Sequence, residues 1–393
     1  MYVIFFAATL FFFYNFGTLF IPLLQRMSIP SGFYSAPTSV IAAFCALLFF
    51  FQTRNKKQFL REFLFTIIAW APWLIYLTYR CDFNDRYSLQ KLILMFLSFG
   101  YVLMFCCAFH KDKEKFSRYF WVCSVAMIAS TLIYFFFKHS VPVLHGYRFE
   151  GRLSIQSANS IGISRSFAIG ALTLLVWGRF SYWIKIGLCL PFFIGMYMTG
   201  SRGPAISLLI IIICHFLWIN GHNKLLNWRI LLACLSLIIA AWTVDVFFHN
   251  QIEKYFSRGD KRGMYLQSGR YAGAIETWKE FTSAPFSGVG LGKYGKPGTQ
   301  IFSTVSQSKK NIEREYPHNI LYEVAAELGI VGAILFIFLL RPGPWMFDFS
   351  NKFVLLFLLC FLFAMTSGDF RDNSGVFIFG YIARFNRKYF SAE

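Results

Sequence analysis

The sequence contains no Asp-x-Asp pair and no Cys-x-x-Cys pair. The first absence removes a common carboxylate spacing for a divalent metal, so an anionic group bound by this chain has to be met by its own cations. The second, together with an odd total of nine cysteines, leaves neither a zinc spacing nor a disulfide framework. All the cysteines but Cys81 fall in or beside apolar runs, where a thiol packs as a small hydrophobe. Acids are also scarce, with 19 Asp and Glu against 38 Lys and Arg. A net charge of +19 raises a nucleic-acid reading, but the basic residues gather in short loops between apolar stretches, which argues against it. Those stretches do not alternate polar and apolar residues, which excludes membrane-barrel strands. No internal repeat of the kind common in transporters is present. Met1-Tyr2-Val3 opens directly into the first stretch without a basic segment or a small-residue cleavage site, so that stretch is expected to be retained rather than removed as a secretory signal.

What remains is hydrophobic. Of 393 residues, 56% are hydrophobic and 50 are Phe, with a mean hydropathy of +0.51, above the roughly 45–50% apolar content of soluble domains. The chain reads as an all-α integral membrane protein. Helical spans of about 20 apolar residues are expected near 2–24, 33–51, 63–79, 89–109, 119–137, 160–177, 182–199, 204–219, 230–248, 319–340, 353–366 and 374–383. Basic residues favour alternate loops, as in Arg54, Lys56, Lys57 and Arg61, then Lys111, Lys113, Lys115 and Arg118, then Arg384, Arg387 and Lys388. The intervening loops are poorer, with Arg80, Arg86 and Lys91 in one and Arg202 or Arg371 alone in others. By the positive-inside rule the richer set and both termini face the cytoplasm, which requires about twelve spans. The last run either crosses or lies as a re-entrant or interfacial segment. The chain thus divides into 1–249 with nine spans, 250–317 as one large outer loop between spans nine and ten, and 318–393 with the final three.

The chemically unusual residues lie on the outer side. The loop after the fifth span carries Arg148 and Arg152. Arg165 follows about two turns into the sixth span, either snorkelling to the interface or lining a wet cleft. In Thr199-Gly200-Ser201-Arg202-Gly203-Pro204, Arg202 is held at the membrane edge, as an anchor or as a contact for a group that the flanking glycines let approach. Within the long loop, Ser268 can cap a helix in which Tyr271, Ile275, Trp278 and Phe281 share an amphipathic spacing and which Pro285 ends. Arg270 in its first turn opposes the helix dipole and is either offset by an anion or simply solvated. Gly288-Val289-Gly290-Leu291-Gly292 follows a helix rather than a strand, lacks the rest of a nucleotide-binding fingerprint and reads as a flexible turn. His318 and Asn319 stand at the mouth of the tenth span. There the imidazole is either a polar cap or a group that exchanges a proton near neutral pH. The eleventh span leaves through Ser367-Gly368-Asp369-Phe370-Arg371-Asp372-Asn373, and the one acid read as lying well inside a span is Asp245.

The Gly200-Ser201-Arg202-Gly203 turn, the Ser268-Gly269-Arg270 helix start, Pro285-Phe286-Ser287-Gly288-Val289-Gly290, and Pro317-His318-Asn319-Ile320-Leu321 followed by Glu327-Leu328-Gly329-Ile330-Val331-Gly332 occur in this order around the large loop. Together they resemble the O-antigen ligase and O-antigen polymerase superfamily. The resemblance implies a GT-C-like glycosyltransferase of the bacterial inner membrane, working at the periplasmic face without metal or cofactor on undecaprenyl-diphosphate-linked glycans. It assigns catalysis to Arg202, Arg270 and His318 and substrate binding to Arg148, Arg152, Arg165, Asn319, Asp369 and Arg371. It implies membrane lipid, a chain-length regulator and a flippase as partners, and no nucleic acid. The exit loop 367–373 is closer to polymerases, which join repeat units on their lipid carriers, than to ligases, which move the chain to a lipid A core sugar. A lipid-linked glycan transporter is the remaining alternative. The topology has a direct test: cysteines placed at Lys113 and Lys224 are expected to be labelled only from the cytoplasm, and those at Lys261 and Lys296 only from the periplasm; labelling of position 261 from inside alone overturns the orientation.

Overall fold

Apolar length sets the helix boundaries. The computed structural model describes residues 56–111, 160–177, 180–199, 201–220, 269–294, 317–366 and 373–390. Within them the helices are α1 (Lys56–Arg80), α2 (Arg86–Lys111), α3 (Ser160–Trp177), α4 (Tyr182–Thr199), α5 (Arg202–Asn220), α6 (Gly269–Ser283), α7 (Ile320–Leu340), α8 (Lys352–Thr366) and α9 (Ser374–Phe390), with one 3-10 turn at Pro344–Phe347. Every expected span in these segments is a helix. The ends of α3 and α4 coincide with the ends of their apolar runs, and Asn319 caps α7 by accepting from the amides of Leu321 and Tyr322. The spans expected near 2–24, 33–51, 119–137 and 230–248 lie outside the described residues, as do Arg148, Arg152, Asp369 and Arg371.

Among the described residues, Phe63–Arg80 and Ile320–Leu340 are long and apolar enough to cross a membrane, and five shorter apolar helices accompany them. Large apolar side chains face outward at helical spacing. Examples are Leu64, Ile68 and Ile75 on α1, Ile206, Ile210, Ile213 and Leu217 on α5, and Ile330, Ile334, Ile337 and Phe338 on α7. Rows of this extent call for an apolar surrounding rather than water. Inside, Trp70 and Trp73 of α1 are fully buried. Trp73 packs on Phe336 at 6.0 Å and on Phe377 at 5.9 Å, joining α1 to α7 and α9. α8 runs centrally, packed against α3, α5 and α9.

α7 is not one continuous helix. At Gly329 the backbone takes φ 65° and ψ −162°, and the hydrogen bonds freed by this break are taken up by the segment that follows α6. The amides of Val289 and Gly290 donate to the carbonyls of Ala326 and Glu327, both at 2.9 Å. In return Ile330 and Val331 donate to the carbonyls of Pro285 (2.8 Å) and Phe286 (3.1 Å). The Tyr76 hydroxyl donates to the Leu328 carbonyl at 2.8 Å, and Arg80 Nη2 to the Gly288 carbonyl at 2.6 Å. The 288–292 turn expected to be flexible is therefore pinned from both sides.

α6 is the helix expected in the outer loop, and the described members of its apolar stripe are not buried. Ile275 and Trp278 are exposed, while Gly273, Glu276 and Thr277 face inward. Gly273 lies against Pro317, where a Cβ would sit 3.8 Å from Pro317 Cα, and the Tyr294 hydroxyl donates to the Gly273 carbonyl at 2.9 Å.

A Cβ at Gly288 would lie 2.3 Å from the Glu327 carbonyl carbon and the Leu328 nitrogen, at a φ of +69°. Gly288→Ala is expected to destabilise the protein by about 2 kcal/mol or more through overpacking and backbone strain. Gly187→Ala, where nothing lies within 4 Å, is expected to be neutral or mildly stabilising. Thermal unfolding of the two variants in detergent checks the contrast, and equal midpoints would show that the 288–329 contact carries no stability.

Candidate functional site

The last turn of α8 gathers the outer-edge residues. A helix ends with carbonyls that lack intrahelical partners and with a partial negative charge; here donors from α3 and from the head of α7 reach them. Arg165, buried on α3, donates through Nη2 to the Phe363 carbonyl at 3.1 Å, and its guanidinium lies 5.5 Å from the Phe363 ring centre. The side chain of Asn319 approaches the Met365 carbonyl at 3.4 Å, a long contact beside its cap bonds to α7. At Gly203 a Cβ would stand 3.3 Å from Thr366 Oγ1, so Arg202, the first residue of α5, lies next to the same turn. The close approach that the glycine allows is made by α8. Arg165 neither snorkels nor stands open; it is a buried link between α3 and α8.

His318 joins this group through the backbone. It is half-buried, and its φ of 57° is in the left-handed region, uncommon for a residue with a side chain although His tolerates it better than most. Pro317 on one side rests against Gly273 of α6, and Asn319 on the other caps α7. Arg270 lies one turn before Gly273 on α6. Gly273 to Ser283 and Ile320 to Gly329 are each about 15 Å long at roughly 1.5 Å per residue, and the two helices pack together. The start of α6 meets the start of α7, and its end meets the break in α7. Arg165, Arg202, the helix start carrying Arg270, His318 and Asn319 are thus brought to one end of the bundle.

Three charged residues that sequence reasoning passed over stand next to them. Lys91, expected in a short loop, is a fully buried residue in the second turn of α2. Its Nζ donates to Glu323 Oε1 and, at 2.7 Å, to Glu327 Oε1. Glu327 Oε2 accepts from the Gly292 amide at 2.7 Å. Glu323 and Glu327 are thus acids inside an apolar helix, where Asp245, outside the described residues, was expected to be the one such acid. The signal was present: two glutamates four residues apart share a helix face, and ionisable groups within a span are functional candidates by default. No group of three or more possible metal ligands occurs among the described residues.

Among the described residues, helices with outward apolar rows carry an edge where arginines stand near a histidine. Residues 186–337 match the family model described as O-Antigen ligase, which supports the resemblance to the O-antigen ligase/polymerase superfamily. The matched stretch includes Arg202, Arg270, His318 and Asn319, whereas Arg165 and Lys91 lie before it. No curated protein matches the chain.

Proposed function

We propose that the protein is a polymerase of the bacterial inner membrane that joins undecaprenyl-diphosphate-linked oligosaccharide repeat units at the periplasmic face. The observation that carries this reading is the meeting of Arg202, the α6 start bearing Arg270, and His318 at the end of α8. In the transfer, a hydroxyl oxygen of the acceptor sugar forms a bond to the anomeric carbon of the donor. The bond from that carbon to the diphosphate oxygen breaks, and its electron pair leaves with the diphosphate. Arg202 and Arg270 bind the diphosphate oxygens, which gain negative charge as the bond breaks; fixed cations stabilise that state most. Arginine suits the task because its planar fork pairs with phosphate oxygens and stays charged. His318 takes the proton from the attacking hydroxyl or orients that hydroxyl. Asn319, Arg148, Arg152, Asp369 and Arg371 complete the glycan and carrier site, Arg165 holds the end of α8 behind it, and a chain-length regulator and a flippase are its partners. The family description favours a second reading, a ligase that moves the finished glycan to a lipid A core sugar.

Purified protein with a lipid-diphosphate-linked repeat unit is expected to make longer glycans without nucleotide, membrane potential or added metal, and to keep doing so in a chelator. Arg202→Ala and Arg270→Ala are expected to abolish transfer in protein that remains folded, with Lys a poor substitute. His318→Ala is expected to lose on the order of 10²–10⁴-fold in rate. Extension only when lipid A core is supplied replaces polymerase with ligase. Movement of the lipid-linked unit across sealed vesicles without any extension removes the enzyme reading, and normal polymer from both arginine variants removes those residues from the mechanism.

A further inference from the structure

Lys91, Glu323 and Glu327 play no part in the transfer step above, yet they are 1%, 0% and 1% exposed. Charges withdrawn from water to this degree persist only where partners offset the loss of hydration. What these three hold together is the head of α7. Glu323, five residues past His318, closes the first turn with its amide to the Asn319 carbonyl at 3.0 Å, while its carboxylate receives Lys91 from α2. One turn further, Glu327 receives the same Nζ, takes the Gly292 amide on its other oxygen and accepts Gly290 on its backbone carbonyl. α2, the glycine segment after α6 and the first two turns of α7 therefore meet at one buried point. His318 stands at the head of those two turns in a left-handed conformation, which a residue other than glycine sustains only where its surroundings dictate it.

We propose that Lys91, Glu323 and Glu327 form a clamp that positions His318 against the arginine-bearing segments during transfer. Because the clamp fixes α7 relative to α6, it sets the distance between the histidine and the Arg270 helix start rather than contributing a group to the chemistry. Its loss leaves donor binding nearly intact and slows the step in which His318 acts. The proposal rests on the glycosyl-transfer reading, with His318 as the residue positioned.

Two readouts on the purified full chain test it: turnover against donor concentration, and the rate at which diethyl pyrocarbonate modifies His318, followed by mass spectrometry with His215 as internal reference. Glu323→Gln, Glu327→Gln and Lys91→Met are expected to lower kcat by about tenfold to a hundredfold, as small misplacements do, with KM for the donor held within about threefold. Lys91→Arg, which keeps the charge, is expected to stay much closer to wild type than Lys91→Met. His318 modification is expected to change severalfold in the neutral variants while that of His215 stays constant. Unchanged kcat per folded molecule overturns the proposal. So does a rise in KM that accounts for the whole loss, and so does failure of all three neutral variants to fold, which would mark the cluster as a folding element. If only Lys91→Met fails to fold, the two near-isosteric Gln variants decide. If the wild-type protein transfers nothing, the glycosyl-transfer reading has failed on its own account. The clamp is then judged by His318 modification, with a severalfold change sustaining it and no change ending it.

Discussion

A helix in an apolar medium can be broken only if other groups take up the hydrogen bonds that the break releases. α7 is broken at Gly329, and the arrangement of the outer edge follows from how those bonds are met. Four amide-to-carbonyl bonds run between 285–290 and 326–331, two in each direction, so this segment is spliced to α7 as a strand would be to a sheet edge. The splice demands glycine at both 288 and 329, since a Cβ on either would lie within 2.6 Å of backbone atoms of the other segment. Two of the sequence motifs, Pro285 to Gly290 and Glu327 to Gly332, are thereby the two halves of one structural joint. Because α6 ends just before the joint, its far end is fixed too, with Gly273 against Pro317. The helix starts beside Arg270 and His318 are thereby fixed relative to each other.

The cations divide according to what the fold gives them. Arg80 and Arg165 bind backbone carbonyls, at Gly288 and Phe363 respectively. Lys91 binds two glutamates, and Lys293 pairs with Asp82 at 3.1 Å. These contacts hold the joint and the helix ends in place. In a chain with few acids, carbonyls at helix ends and breaks take over part of the work that carboxylates do elsewhere, and arginine, with five donors, reaches them well. Buried ion pairs add little net stability against a well-packed apolar alternative, but losing one partner is costly. That asymmetry favours the use of the Lys91 cluster to specify an arrangement.

Much of this was legible. Runs of about 20 apolar residues located a helix at each of the eight expected positions that fall in the described residues, two of them long and apolar enough to cross a membrane. Ordered short motifs located the family. Side-chain destination was not legible. Lys91 reads as a loop cation because it sits five residues from Arg86 at the helix start, and only tertiary packing brings Glu323 and Glu327, more than 230 residues away in sequence, onto it. The spacing of the α6 stripe was legible, but which face of the helix packs was not. Gly273, Glu276 and Thr277 face inward, while Ile275 and Trp278 remain outside.

Helix direction adds a final constraint. α5 begins with Arg202, α6 with Gly269-Arg270 and α7 directly after His318-Asn319, and each of these starts lies at the end of the bundle where α8 finishes. A helix start carries a partial positive charge and unpaired amides, so an arginine in the first turn is mildly disfavoured on its own. Two such starts gathered at one place make a field that repels further cations and attracts an anion. The α8 carbonyls oppose that field, and the Arg165 guanidinium and the Asn319 amide group occupy two of them. With those carbonyls engaged, the net field at the edge favours an anion over a cation, which is what the proposed diphosphate donor would supply. Under the proposed transfer, the mild cost of an arginine at each helix start is offset by the bound diphosphate, and more so as its charge grows on leaving.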